Sequence, residues 1–165
     1  MKHYHHLVNQ VEEITVVIKQ YVLEKFEREY NLLIELPGDS AIVACEILSD
    51  IGPNVEAFKS QGNLASWAGV CPGSYESAGI KKSSHTTQGN KYLKSILFQA
   101  GGTAGRSKDE AFHNLYARIS GRSSKMKAII ACAHKMIRVI YKILSTGEHY
   151  DAKKALGLRQ QARAN

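Results

Sequence analysis

Between residues 3 and 31 the chain contains no proline and no glycine, and Leu7, Val11, Ile14, Ile18 and Tyr21 recur at steps of four, three, four and three. Such steps keep apolar side chains on one stripe of an α-helix, because about 3.6 residues complete a turn. Held for about three heptad-like steps on a helix of ~40 Å, the pattern is that of a coiled-coil seam. Lys25 and Arg28 interrupt it. Two readings follow: an amphipathic helix lying on the domain's own core, or an arm through which the chain self-associates. An opening that is already helical also suggests a piece cut from a longer protein. His3, His5 and His6 are read as part of a mobile end.

Beyond residue 31, glycine and proline mark the breaks. Leu36-Pro37-Gly38 stops the first helix, and Ala41-Ile42-Val43-Ala44-Cys45-Glu46-Ile47-Leu48 restarts one that runs to Gly52-Pro53. Asp39 or Ser40 can cap its first turn. Ala57-Phe58 and Asn63-Leu64-Ala65-Ser66-Trp67-Ala68 read as two short helical pieces separated by Gly62, with Trp67 in the core. Three further helices are expected: around residues 90–104, with Tyr92, Leu93, Ile96, Leu97 and Ala100 packing; from about Asp109 to Ile119; and from Ser123 to Leu144, with Met126, Ile129, Ile130, Ala133, Ile137, Ile140 and Tyr141 packing. From residue 69 to residue 89 the helical pattern vanishes into Gly73, Ser74, Ser77, Gly79, Ser83, Ser84, Thr86 and Thr87. A loop of that length inside a compact domain is typically functional or a linker, and Trp67, Val70 and Tyr75 give it apolar anchors that flexible linkers lack. No strand-period segment of convincing length and no internal repeat is present.

The predicted fold class is therefore all-α: a helical domain with a helix-hairpin-helix-like element, a long N-terminal helix and a long Gly/Ser-rich loop. The predicted division is a long-helix arm over 1–34, a main domain over 35–150 and a polar, flexible tail over 151–165. At 165 residues and 44% hydrophobic content, the chain can bury one core. Cys45, Cys71 and Cys132 lie far apart without a CxxC spacing, and three cannot all pair within one chain, which points to a reducing, cytoplasmic setting. No apolar run approaches the ~20 residues of a membrane span, so no membrane partner is expected.

Charge is unevenly placed. Residues 1–80 carry a balance of −6, residues 81–142 one of +11, and the remaining tail +2. Concentrated positive charge suits a phosphate backbone, since each neutralised phosphate releases condensed counterions. A solvated helix surface is the alternative, and anionic lipid a weaker one without any anchor. The cations singled out for nucleic acid are Lys81, Lys82, Lys91, Lys94, Arg122, Lys125 and Lys127. On the last long helix, Lys127, Lys135, Arg138 and Lys142 fall near multiples of the helical repeat and can form one basic stripe.

Two motifs carry chemistry. Leu36-Pro37-Gly38-Asp39-Ser40-Ala41 before an apolar helix resembles the hairpin of a helix-hairpin-helix module, whose turn aims backbone N–H groups at a DNA phosphate. Ser40 replaces the usual second glycine, and Asp39 puts negative charge where a phosphate would sit, so a structural hairpin stands beside a phosphate-contacting one. The second motif runs from Trp67-Ala68-Gly69-Val70-Cys71-Pro72-Gly73-Ser74-Tyr75-Glu76-Ser77-Ala78-Gly79 to Gly89-Asn90-Lys91-Tyr92-Leu93-Lys94. With its spacing to the Leu-Pro-Gly hairpin, with Gly121 through Lys127, and with Ala131-Cys132-Ala133-His134-Lys135-Met136-Ile137, it resembles the C-terminal transposase domain of the DEDD-type insertion-sequence transposases. That family includes the Piv-like DNA invertases and the bridge-RNA-guided recombinases. The resemblance covers residues 33–150.

The resemblance implies a serine that attacks DNA from this domain, and an N-terminal RuvC-like domain, not among these 165 residues, whose acidic side chains bind Mg²⁺. By position the nucleophile is Ser77, with Ser74 the nearest competitor. No cofactor is expected in this part. The implied partners are DNA and a guide RNA, in a bacterial or archaeal cytoplasm near the nucleoid; the apolar seam of the first helix adds a second copy of the chain as an expected partner. Where the family is commonly basic before the Gly-Asn pair, this chain has Thr86, Thr87 and Gln88. No second site emerges: His85, His113 and His134 lack partners at metal-ligand spacing, and Glu12-Glu13 and Asp109-Glu110 read as solvated carboxylates. Two further readings stay open, a binding module without chemistry and a dimerisation element, and this part alone is expected not to cut DNA.

Overall fold

The computed structural model describes residues 1–38, 40–73, 75–77, 80–83 and 85–161; Lys2, residues 75–77 and 80–83, and residues 158–161 are described by their backbone alone. Along these residues run α1 (Lys2–Leu33), α2 (Ala41–Ile51), α3 (Gln61–Trp67), β1 (Tyr75–Ser77), β2 (Ile80–Ser83), α4 (Lys91–Arg106), α5 (Glu110–Arg122), α6 (Lys125–Thr146) and α7 (Ala152–Gln161). Five helices start behind a side-chain cap. Ser40, Ser60, Asn90, Asp109 and Ser124 each accept a hydrogen bond from a backbone N–H of the first turn, giving a free helical donor its acceptor. Of the two candidates before α2, Ser40 is a cap, accepting from Val43 N at 3.3 Å; Asp39 lies outside the described residues.

The all-α expectation holds, with one small addition treated below. The core forms where α4 and α6 cross, from Leu93, Leu97 and Ala100 on one side and Ala133, Met136, Ile137 and Ile140 on the other, each at most 1% exposed. Burying a large aliphatic side chain stabilises by about 1.5–3 kcal/mol. Gly101 lets the two backbones meet, since a Cβ there would stand 2.7 Å from the Ala133 nitrogen. The Pro37-Gly38 turn packs inward as well. Gly38 has φ 88°, and a Cβ on it would lie 2.7 Å from the Ala104 nitrogen of α4.

α1 divides by environment. Val22, Tyr30, Leu32 and Leu33 are buried against the body, and Phe26 breaks the helical geometry among them with φ −139° and ψ 36°. Before Val22 no described side chain of α1 is buried; the five seam residues are 43–65% exposed. The seam therefore does not lie on this chain's own core.

Several local expectations are corrected. Gly62 lies inside the single helix α3 rather than between two pieces. Trp67 is 40% exposed, because Leu64 and Ala65 occupy the inward positions of that short helix and the indole rests at the rim against Phe58, 5.4 Å between centroids. Tyr92 and Met126 are exposed in the first turns of α4 and α6, where Leu93 and Ala128 take the inward positions. Beyond residue 150 the chain carries α7, on which Ala155 is buried, and just before it the Tyr150 hydroxyl donates to Asp109 Oδ2 at 2.9 Å.

Candidate nucleic-acid interface

The Gly/Ser-rich segment begins as a helix ending. Gly69, with φ 71°, takes the left-handed position after α3, and Val70 N donates to Ala65 O at 3.1 Å. The two limbs of the segment then zip together. Thr87 N donates to Cys71 O at 3.0 Å, Gly73 N donates to His85 O at 2.8 Å, and Pro72 bridges Thr86. β1 and β2 continue this ladder antiparallel, Tyr75 opposite Ser83, Glu76 opposite Lys81 and Ser77 opposite Ile80, with an irregularity after Tyr75. What read as a loop is thus a ribbon, and Ser77 ends its first strand. Ser74 and the Ser77 side chain lie outside the described residues, as do the side chains of Lys81 and Lys82 on β2.

The ribbon's root is fixed by close contact. Gly69 and Gly89 cross so tightly that a Cβ on Gly89 would overlap the Gly69 nitrogen and the Trp67 carbonyl and lie 2.6 Å from Gly69 Cα. Asn90 N donates to Trp67 O at 3.0 Å; its side chain caps α4 and donates to Asp50 Oδ1 of α2 at 3.1 Å. Half-buried Lys94 donates from Nζ to Thr87 O at 3.1 Å, so this lysine ties the second limb to α4.

Beside that root, α5, α6 and α7 enclose a groove of about 890 Å³. Among the described residues its cations are Arg118 and Arg122 of α5, one turn apart, and Lys127, Lys135 and Arg138 of α6, and no Asp or Glu among them lines it. Pro72 and Thr86, the bridged pair at the ribbon's base, form part of its wall. Arg118, Arg122 and Lys127 are exposed. Arg138 is half-buried and oriented by its Nε, which donates to Gln61 Oε1 at 3.1 Å. Lys135 is engaged within the fold: its Nζ donates to Ala111 O at 2.7 Å and lies 5.2 Å from the Phe112 ring centroid, and burial pulls its pKa below the usual lysine range against the opposing pull of Asp109. His134 is held neutral at pH 7, because burial, aided by Arg138, lowers its pKa from the ordinary 6.5.

Of the cations singled out from the sequence, Arg122 and Lys127 therefore line one groove. Lys125 is exposed in the first turn of α6 without lining it. Lys91 lies elsewhere, over the Tyr92 ring in a recess shared with Glu46 and Asp50. The expected stripe on α6 contributes Lys127, Lys135 and Arg138, while exposed Lys142 borders a different recess near Glu148. Arg118 was not singled out; its spacing of four from Arg122 was the available signal.

A helical body carrying a cationic groove, with a β-ribbon rooted in the groove wall, defines a class of domain suited to polyanions. Residues 30–117, more than half of the chain, match the family model described as Transposase IS116/IS110/IS902 family, and the chain belongs to that family. It is 32% identical over 126 residues to a Sinorhizobium fredii protein named "Putative transposase y4pF/y4sB", covering 72% of this chain and 32% of that protein. Pilin gene-inverting proteins of Moraxella bovis and Moraxella lacunata are each 29% identical over 127 residues, covering 74% of this chain and 39% of theirs. The chain spans about a third of the length of these curated relatives. No helix among the described residues is long and apolar enough to cross a membrane.

Proposed function

We propose that this chain is the DNA-holding, serine-bearing part of an enzyme that cuts and rejoins DNA. The nucleic-acid backbone lies in the groove of α5, α6 and α7, and Ser77 supplies the attacking oxygen. The observation that carries this reading is the groove itself, with five cations and no carboxylate among its described lining residues and a wall continuous with the ribbon whose first strand ends in Ser77. Ser77 lies five positions after Pro72, within a reach of at most ~18 Å.

In the reaction, the Ser77 hydroxyl oxygen bonds to phosphorus and the P–O bond to the departing 3′ or 5′ oxygen breaks. The serine proton passes to a base, and the leaving oxygen gains a proton. Attack by another strand's terminal hydroxyl on the phosphoserine reverses these steps and releases the serine. Such a hydroxyl needs a base and positive charge around the pentacoordinate phosphorus. Arg118, Arg122, Lys127 and Arg138 are this chain's contribution to the charge, together with Lys81 and Lys82 on the serine's own ribbon. Among the described residues no group of three or more His, Cys, Asp or Glu could hold a metal ion. The Mg²⁺ that the resemblance implies has no ligand set among them. Alone, the chain is expected to bind DNA without cutting it.

The Pro37-Gly38 turn takes no part in this reading, because Gly38 faces α4. A guide RNA would present the same phosphate chemistry to the groove, and competition between RNA and duplex DNA distinguishes the two ligands. The exposed seam of α1 favours a second property, self-association of two copies.

Fluorescence anisotropy of a labelled duplex at stepped salt tests the groove. Four free cations each neutralising one phosphate give a log–log slope of about −3.6. Arg118→Gln with Arg122→Gln should lower its magnitude by about 2. A flat salt response would remove phosphate contact from the account.

A further inference from the structure

We propose that the groove prefers an unpaired DNA strand to a duplex, taking its bases on the apolar middle of the groove and its phosphates on the cations at either end. The inference rests on the nucleic-acid reading above and names the form of DNA that the groove takes. On α6 the lining residues Lys127, Ile130, Ala131, His134 and Arg138 recur at steps of three, one, three and four, a single helix face. Lys127 and Arg138 stand eleven residues apart, ~16 Å along the axis. α5 runs back alongside, since only Ser123 and Ser124 join the two helices and Lys135 Nζ reaches Ala111 O. Arg118 and Arg122 of α5 therefore gather with Lys127 near the α5–α6 turn. Arg138 marks the opposite end, beside the ribbon's root: burial raises the pKa of the Cys71 thiol there, and the charge of Arg138 opposes it.

Charge spacing selects the form of DNA. Between the two ends the described lining is uncharged apart from Lys135, which is engaged with Ala111 O. It consists of half-buried Leu115, Ile130 and Ala131, exposed Asn114, and His134, neutral at pH 7. Leu156 of α7, 39% exposed, adds a further apolar side chain to the groove. One strand of a duplex carries a charge every ~3.4 Å of axis, so a backbone laid along ~16 Å of groove would bring about four or five phosphates. The middle ones would lose water against aliphatic carbon with no cation opposite, which is costly. An unpaired strand avoids this by turning its bases inward. Base faces lie on aliphatic side chains and on arginine guanidinium planes, while Asn114 and His134 offer hydrogen bonds to base edges. The reaction proposed above supplies such a strand, because an end released by Ser77 has to leave its old partner before it joins a new one.

Fluorescence anisotropy of the whole chain with three labelled probes tests this: oligothymidylate, an abasic strand of the same length and a duplex of the same length. Oligothymidylate should bind at least about tenfold more tightly than either of the others. Leu156→Ser, at an exposed position, should cut its advantage over the abasic strand at least about threefold, whereas Tyr92→Leu, in the recess of Glu46 and Asp50, should leave it unchanged. An abasic strand or a duplex that bound as tightly as oligothymidylate would overturn the inference and leave the groove as a phosphate site. An advantage that Leu156→Ser kept, or that Tyr92→Leu abolished, would take the bases out of the groove and overturn it as well. If binding of none of the three probes responded to salt, the nucleic-acid reading would fall and this inference with it.

Discussion

Full-length enzyme carrying Ser77→Ala is expected to form no covalent adduct with DNA and to lose recombination by at least about a thousandfold, while binding duplex as tightly as the unaltered protein. The expectation follows from the division of labour between groove and ribbon. Removing one oxygen from the end of β1 takes away the only group that this account bonds to phosphorus, and the backbone ladder that holds the strand is untouched. Denaturing gels of enzyme incubated with labelled DNA read the adduct directly, and Ser74→Ala serves as the control that should retain it. An adduct that persisted in Ser77→Ala and vanished in Ser74→Ala would move the nucleophile three residues back.

Gly89→Ala should be among the most damaging single methyl groups at the described glycines. A Cβ at this position meets backbone atoms, the Gly69 nitrogen and Cα and the Trp67 carbonyl, none of which can rotate aside as a side chain would. The two limbs would have to separate, weakening the Asn90–Trp67 hydrogen bond and the tie from Lys94 to Thr87. Overpacking of this kind costs about 2–3 kcal/mol, or a fall in Tm of about 5–10 °C for a chain of this size. Thermal melts of the purified protein measure it. The same substitution should lower recombination further than stability alone accounts for, because Ser77 would lose its root. A Gly89→Ala protein that melted within a degree of the unaltered chain would contradict the close crossing.

The helices were legible because their boundaries are written in local chemistry. Pro37-Gly38, Gly52-Pro53 and the serine, asparagine and aspartate caps act over four residues, and the 3.6-residue period of Leu93, Leu97 and Ala100 names the face that α4 buries. What each exposed surface faces was not legible, because that depends on residues distant in sequence. The α1 seam fitted a core helix as well as an arm until the remaining helices were seen to pack without it. Lys94 and Lys135 look like free cations in the sequence, yet each donates to a backbone carbonyl, seven and twenty-four residues away. The ribbon escaped notice for a related reason. Tyr-Glu-Ser and Ile-Lys-Lys-Ser are too short to show a two-residue period, and their pairing is enforced from the root by Gly69 and Gly89. In the groove, Arg122 and Lys127 came from the basic stretch, whereas Arg118 needed the fold of α5 against α6 and α7 to show that it shares their space.

The groove as the seat of nucleic acid is tested most directly by placing a photoreactive side chain within it. Asn114 is exposed and lines the groove, and Tyr92 is exposed in the separate recess that holds Glu46 and Asp50. With a benzophenone amino acid at either position, irradiation in the presence of labelled duplex should yield a protein–DNA crosslink from position 114 and none above background from position 92. A crosslink from position 92 with none from position 114 would contradict the account.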